Sequence, residues 1–374
     1  MTQSLETPAL LLDLDRLDAN ISRMRRTLAA FDVTLRPHVK TNKSLQVTER
    51  LFKGGRGPIT VSTLREADFF FAAGFTDILY GVGIAPNKFA HAARLIEQGA
   101  ALKLVLDNLE TARLLADFVQ DNGQVFEVLL EVDCDGHRSG LPPHSPLLVD
   151  IAELLRGRNV KVIGVMTHAG NSYESRSISD IEAYARQERA AVLDAAEILR
   201  GAGFDLSSIS VGSTPTALCA QELSGVTEVR AGVFAFFDLV MAGLGVCRPE
   251  EIAVSVLTTV IGHQPEKGWT IVDAGWMALS RDRGTAKQTV DQGYGVVCTL
   301  AGEPLRDLIV TAANQEHGII SSRSGAFDAE DRLPVGTQLR ILPNHACATS
   351  AQHAGYHVLN QGQRIDYWPR IAGW

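Results

Sequence analysis

The sequence predicts an α/β protein: an eight-stranded (β/α)8 barrel followed by a C-terminal antiparallel β domain. Three observations carry that expectation. Short β-branched runs alternate with amphipathic stretches from about residue 30 to 240, the runs number eight, and beyond residue 250 the strand-like runs continue without long helical stretches. Strands alternating with helices imply parallel pairing with right-handed crossovers, whereas consecutive strands separated by turns imply an antiparallel sheet.

The eight runs are VTLRPHV (33–39), PITVS (58–62), TDILYG (76–81), LKLVL (102–106), VFEVLLEV (125–132), VKVIGVMT (160–167), SISVG (208–212) and VTEVRAGV (226–233). Between them, segments 87–99, 109–123 and 180–203 carry apolar residues at three- and four-residue spacing and end in glycine. That pattern marks amphipathic helices with a left-handed C-terminal cap. Eight units fit a closed barrel better than an open doubly wound sheet, which is the alternative topology. After residue 250, AVSVLTTVIGHQ, GWTIVDAGW, YGVVCTL, LIVTAANQEHG and TQLRILPNH read as strands. The expected division is a barrel over 10–249 and an antiparallel domain over 250–374. Residues 1–9 and the early run ALLLDLD are candidates to join the second domain.

Composition narrows the function classes. The 374 residues are 45% hydrophobic, enough for a large core plus a second domain. A net charge of −8 without a basic cluster gives no electrostatic footprint for nucleic acid. No apolar run reaches bilayer-spanning length, and the first residues lack the pattern of a secretory signal. Five cysteines, scattered and odd in number, argue against a disulfide framework and for a reducing cytoplasm.

In (β/α)8 barrels the catalytic groups gather on the loops after the strands. Here those loops hold Arg36 to Lys40 after the first barrel strand, Asp133 to Gly140 after the fifth and Thr167 to Tyr173 after the sixth. The seventh is followed by Gly212 to Thr216 and the eighth by Arg230 to Val233. Loops after the last two barrel strands form phosphate sites in many barrels, and Gly212, Ser213, Thr214, Gly232 and Val233 suit that role. A lysine beside a phosphate site is the pairing that pyridoxal phosphate requires, since the amine forms a Schiff base with the cofactor aldehyde. Spacing leaves Lys40 and Lys43 as alternatives. A second constellation is His345-Ala346-Cys347. Read as part of a strand, its first and third residues share a face, and imidazole with thiolate suits zinc.

The segments RPHVKTNKS, DGHRSG, THAGNSY, VGSTPT, EVRAGV, VDAGWMALSRDRGT, NQEHG and PNHACAT resemble the fold-type III pyridoxal-phosphate enzymes, within them the zinc-dependent D-serine dehydratase branch. The resemblance spans nearly the whole chain. It implies an alanine-racemase-like barrel, a C-terminal β domain and a homodimer with sites near the domain interface. It selects Lys40 as the Schiff-base lysine. It also implies that Arg138 lies near the cofactor's phenolic oxygen, His168 beside its ring, and Tyr173 in contact with it. Gly212, Ser213, Thr214, Gly232 and Val233 are implied as the phosphate cradle, and His345 and Cys347 as ligands of zinc or another divalent cation. Asn42 departs from the pattern, because relatives often carry histidine there.

The implied reaction is β-elimination on a D-3-hydroxy amino acid, such as D-serine or D-threo-3-hydroxyaspartate, giving a 2-oxo acid and ammonia. The metal would act as a Lewis acid on the β-hydroxyl. A metal-dependent aldolase of the same broad family is the nearest alternative, and its metal motif reads H-x-D where this chain has H-x-C. A non-catalytic carrier of the cofactor is a second alternative. A second carboxylate on the substrate would call for an arginine, with Arg281 and Arg283 as candidates.

Overall fold

A computed structural model describes residues 5–325 and 333–374; residues 1–4 and 326–332 of the expected second-domain ranges lie outside them. The chain divides into two compact units. One comprises residues 24–175, 179–232 and 373–374, the other residues 1–23, 176–178 and 233–372. Residues 10–23 and 233–249, expected with the barrel, therefore count with the antiparallel unit. The reason for the first segment is strand pairing. Strand β1 (Ala9–Asp13) lies in the antiparallel sheet, with Leu10 to Leu12 buried.

The barrel unit contains β2 (Thr34–Pro37), β3 (Ile59–Val61), β4 (Asp77–Gly83), β5 (Ala101–Leu106), β6 (Phe126–Val132), β7 (Val160–Thr167), β8 (Ser208–Val211) and β9 (Glu228–Ala231). All pair in parallel, in the order β2-β9-β8-β7-β6-β5-β4-β3. The two end strands meet through one parallel bridge, His38 with Thr60, which brings the sheet to a nearly closed barrel. Each of the eight predicted runs became one strand.

Leu79, Val105, Leu129 and Met166 form a buried apolar cluster from β4 to β7. Elsewhere charge is buried, and there it is paired. Arg36 donates to Glu228 Oε2 at 2.7 Å and to Asp77 Oδ1 at 2.8 Å, and Lys103 reaches the same Asp77 oxygen at 2.6 Å. Ser210 donates to the other Glu228 oxygen at 2.6 Å. Removing Arg36 or Glu228, the buried members of this chain, strands the other without solvent, whereas Asp77 keeps access to water.

The antiparallel unit contains β10 (Val254–Gln264), β11 (Trp269–Val272), β12 (Gly295–Cys298), β13 (Pro304–Ala313), β14 (Gly318–Ser322), β15 (Gln338–Pro343), β16 (Gly355–Asn360) and β17 (Gln363–Pro369) together with β1. Its order is β11-β14-β13-β12-β15-β10-β1-β16-β17, with β10 also pairing β11. The long β10 makes this possible. Its first half pairs with β1 and β15, and beyond a register shift at Val260/Gly262 it turns to β11. Six strands thus close on themselves, while β1, β16 and β17 extend the sheet.

Candidate active site

Lys40, Arg138, His168, Tyr173, Gly212 and Gly232 follow strands at their C-terminal ends. Arg36, Thr167 and Arg230, expected on those loops, instead lie within β2, β7 and β9, because the strands run past the points where the loops were expected to begin. Lys40 is exposed, three residues past β2. Its loop is built by Asn42, whose buried side chain accepts from the Ser44 N–H at 2.9 Å and from the Thr48 hydroxyl at 3.1 Å. Lys43, the alternative lysine, is committed elsewhere. Its ammonium lies 3.2 Å from the fully buried Glu66 carboxylate and over the Trp374 ring.

His168 follows β7, and its Nδ1–H donates to the Gly212 carbonyl at 2.7 Å, which leaves Nε2 as the acceptor. Burial pushes this imidazole down to about 3; the Gly212 bond opposes the shift, while Arg138, Lys40 and Arg230 add to it. His168 is therefore neutral at pH 7. The Tyr173 ring is 6.0 Å from it, centre to centre. Arg138 is exposed on the loop after β6. That loop is tied to the next, because Asp135 Oδ2 accepts the Asn171 N–H at 2.8 Å.

Two residues at this rim had no role in the sequence reading. His38 directly follows β2 and has a buried Nδ1 that lacks a partner among the described residues. Burial, then Lys40, Arg230 and His168, hold it well below the ordinary imidazole range. Glu188, on the helix Ile178–Gly201, is 2% exposed. Its Oε1 accepts the N–H groups of Ala169 and Gly212, both at 3.0 Å, and so joins the loops after β7 and β8. Its own carboxyl is raised by burial, against hydrogen bonds from Thr216, Ala169 and Gly212.

The expected phosphate loop is tightly made. Ser213 caps the helix Thr214–Cys219 in a reciprocal box with Thr216, and its hydroxyl also lies 3.0 Å from that of Ser172. Gly212 adopts φ +146°, and a Cβ there would collide with the Arg230 backbone. A Cβ at Gly232 would press on the His38 carbonyl and the Thr41 hydroxyl. The Gly212 amide is committed to Glu188, so an anion here would be met by the loop's other donors. Val233, buried, opens the turn Val233–Ala235 in the other compact unit.

In that unit the expected metal pair takes a different local form. His345 and Cys347 are not on a strand: β15 stops at Pro343, His345 precedes the short helix Ala346–Ser350, and Cys347 lies in its first turn. The turn is fixed because Asn344 accepts from the Thr285 hydroxyl at 2.6 Å and Asp238 accepts the Ala346 N–H at 2.9 Å. The two side chains nonetheless meet, since Cys347 is hydrogen-bonded to the His345 imidazole. Asp282, missed in the sequence between Arg281 and Arg283, holds His345 Nδ1 at 2.7 Å. Burial would lower this imidazole, but Asp282, Cys347 and Asp238 hold it up to about 11. Among the described residues no group of three or more His, Cys, Asp or Glu side chains is arranged around a metal position.

Comparison with known proteins is decisive for the family. Residues 12–240 match the alanine racemase N-terminal domain and residues 253–359 the putative serine dehydratase domain. The chain is 52% identical to D-threo-3-hydroxyaspartate dehydratase of Delftia sp., over 99% of its own length and 98% of the relative's. The chain belongs to the D-serine dehydratase family. The solved structure of the Delftia enzyme superposes with a TM-score of 0.97 over 100% of this chain and 99% of that one. D-serine dehydratase of Dictyostelium discoideum is 32% identical over 97% of this chain and 95% of its own. D-threonine aldolase of Arthrobacter sp. is more distant, at 29% over 97% and 91%. As a member of this family the chain is a lyase with an alanine-racemase-like fold, which implies pyridoxal phosphate as cofactor. No helix among the described residues is long and apolar enough to cross a membrane.

Proposed function

We propose that this enzyme is a pyridoxal-phosphate- and zinc-dependent dehydratase that converts a D-3-hydroxy amino acid, D-threo-3-hydroxyaspartate or D-serine, to a 2-oxo acid and ammonia. The observation that carries the reading is 52% identity, across essentially the whole chain, with a dehydratase of this kind. The rim residues support it. Lys40 is an exposed residue on the loop after β2, while Lys43 pairs with the buried Glu66. Glycines at 212 and 232 allow backbone approaches that a Cβ would block.

The cofactor, when bound, supplies an electron sink for the charge left at the substrate Cα. Lys40 Nζ would hold the cofactor at its aldehyde carbon, and the Lys40 amine is the base for the Cα proton. Arg138 and Tyr173 orient the cofactor, and neutral His168 offers Nε2 beside its ring because Nδ1 is bound to Gly212. Thr214 and the Gly232-Val233 backbone receive its phosphate, with Gly212 and Ser213 shaping that loop. His345 and Cys347 are the residues that would hold the metal. A carboxylate on Nδ1 leaves the other ring nitrogen for the ion, and the thiol already reaches the same ring. Zinc there supplies Lewis acidity to a hydroxide leaving group. Five cysteines, none of them in a disulfide, accord with a cytoplasmic setting, and the family resemblance with a homodimer, which sedimentation tests.

The test is a coupled ammonia assay over D-3-hydroxy amino acids, with and without a chelator. Ammonia with oxaloacetate from D-threo-3-hydroxyaspartate, lost on chelation and restored by zinc, is expected. Glyoxylate with glycine would assign an aldolase instead.

A further inference from the structure

We propose that Arg281 receives the second carboxylate of a 3-hydroxyaspartate-type substrate and so sets the preference for dicarboxylic over monocarboxylic D-amino acids. The inference rests on the dehydratase reading for its substrate class.

Arg281 is placed by contacts on both sides of it. Before it, the short helix Trp276–Leu279 is fastened to the segment carrying the metal pair: Thr349 donates to the Leu279 carbonyl at 2.7 Å and His353 to the Ala278 carbonyl at 2.9 Å. After it, Asp282 holds His345 Nδ1 at 2.7 Å. The guanidinium therefore belongs to a loop anchored at His345, on the elements that carry Cys347. Its carbon lies 5.3 Å from the centre of the Trp276 ring, a stacking contact that limits its rotamers while leaving the residue exposed.

The two candidate arginines are not equivalent. Arg283 pairs with Asp291 at 2.7 Å and stacks over Tyr294, and its Nε is buried. Arg281 has no carboxylate partner among the described residues. Carboxylates stand in these surroundings too, so a dianion gains from a cation of its own. Two carboxylates, Asp282 and Asp238, act on His345. A substrate bringing a second negative charge to this region meets repulsion that a monocarboxylate escapes. A planar guanidinium answers that charge with two parallel donors, which an ammonium cannot reproduce.

The test measures binding of D-aspartate and D-alanine to the holoenzyme through the change in cofactor absorbance, for wild type, R281M, R281K and R283M. Both ligands lack the leaving hydroxyl, and only D-aspartate carries the second carboxylate. R281M should weaken D-aspartate on the order of 10- to 100-fold, the range for a hydrogen-bonded charge, with D-alanine within about threefold. R281K should fall between wild type and R281M. Equal weakening of both ligands, no weakening of D-aspartate, a selective loss in R283M instead, or a wild type without preference for D-aspartate would each overturn the assignment. A wild type that binds selectively yet releases no ammonia from any D-3-hydroxy amino acid would refute the dehydratase reading and leave the arginine assignment supported.

Discussion

Replacing Glu188 with alanine should damage the barrel far more than replacing it with glutamine. The carboxylate is buried, and one oxygen accepts two backbone N–H groups from different loops, Ala169 and Gly212, each at 3.0 Å. Alanine orphans both donors in a site without solvent. At about 1–3 kcal/mol for each unsatisfied buried group, the loss is about 2–6 kcal/mol. Glutamine keeps an acceptor of the same shape and should cost less than about 1.5 kcal/mol, the net worth of an ordinary hydrogen bond. A pH signature should separate them as well. Burial raises the Glu188 carboxyl, so the folded state holds this proton more tightly than the unfolded chain does. The resulting stabilisation is complete below the ordinary carboxylate pKa and is lost as pH rises through the raised one. The glutamine variant should lack that decline. Urea unfolding of the apoenzyme followed by circular dichroism, at a series of pH values, measures both effects. Alanine within about 1 kcal/mol of wild type, or glutamine as damaging as alanine, would refute the two-loop clamp.

Lys40→Ala should abolish covalent retention of cofactor after borohydride reduction, read by intact mass; retention in the variant would place the linkage elsewhere. Asp282→Asn should reduce metal affinity on the order of 10- to 100-fold, as for other carboxylates that orient a ligating histidine, and metal content after dialysis against a buffered chelator reads it. Unchanged affinity would mean that His345 needs no such support. Gly212→Ala should lower the yield of folded protein outright, since its Cβ would meet the Arg230 backbone, which cannot swing aside. A soluble variant with wild-type melting behaviour would contradict that geometry.

Much of this architecture was legible because its signals are local. Most barrel strands are β-branched runs, and the loops that follow them carry most of the expected rim residues, so order along the chain predicts much of which groups reach the rim. The choice between two lysines was not local: Lys43 pairs with Glu66, on the helix Leu64–Ala72 beyond β3, and no spacing within RPHVKTNKS records that. Glu188 is invisible for a related reason. It occupies one turn of an amphipathic helix, and its partners are backbone amides, which carry no sequence signal. His345 and Cys347 were expected on a strand, and the two side chains meet through a different local structure. A separation of two suits a strand, but Pro343-Asn344 ends β15 and the pair meets across a helix start. Asp282 stood between two arginines that drew attention by their charge.

The pairing of β1 has a consequence for biosynthesis. Leu10, Leu11 and Leu12 are translated well before their neighbours on β10 and β16, which come from residues 254–257 and 357–359. At roughly 5–20 residues per second, the last of those neighbours follows on the order of tens of seconds later. The barrel strands, all between residues 34 and 231, are complete well before then. A sticky leucine segment must therefore wait with one edge unpaired until residues 254–257 are made and with the other until residues 357–359 are, which makes it a natural place for a chaperone to act on the nascent chain.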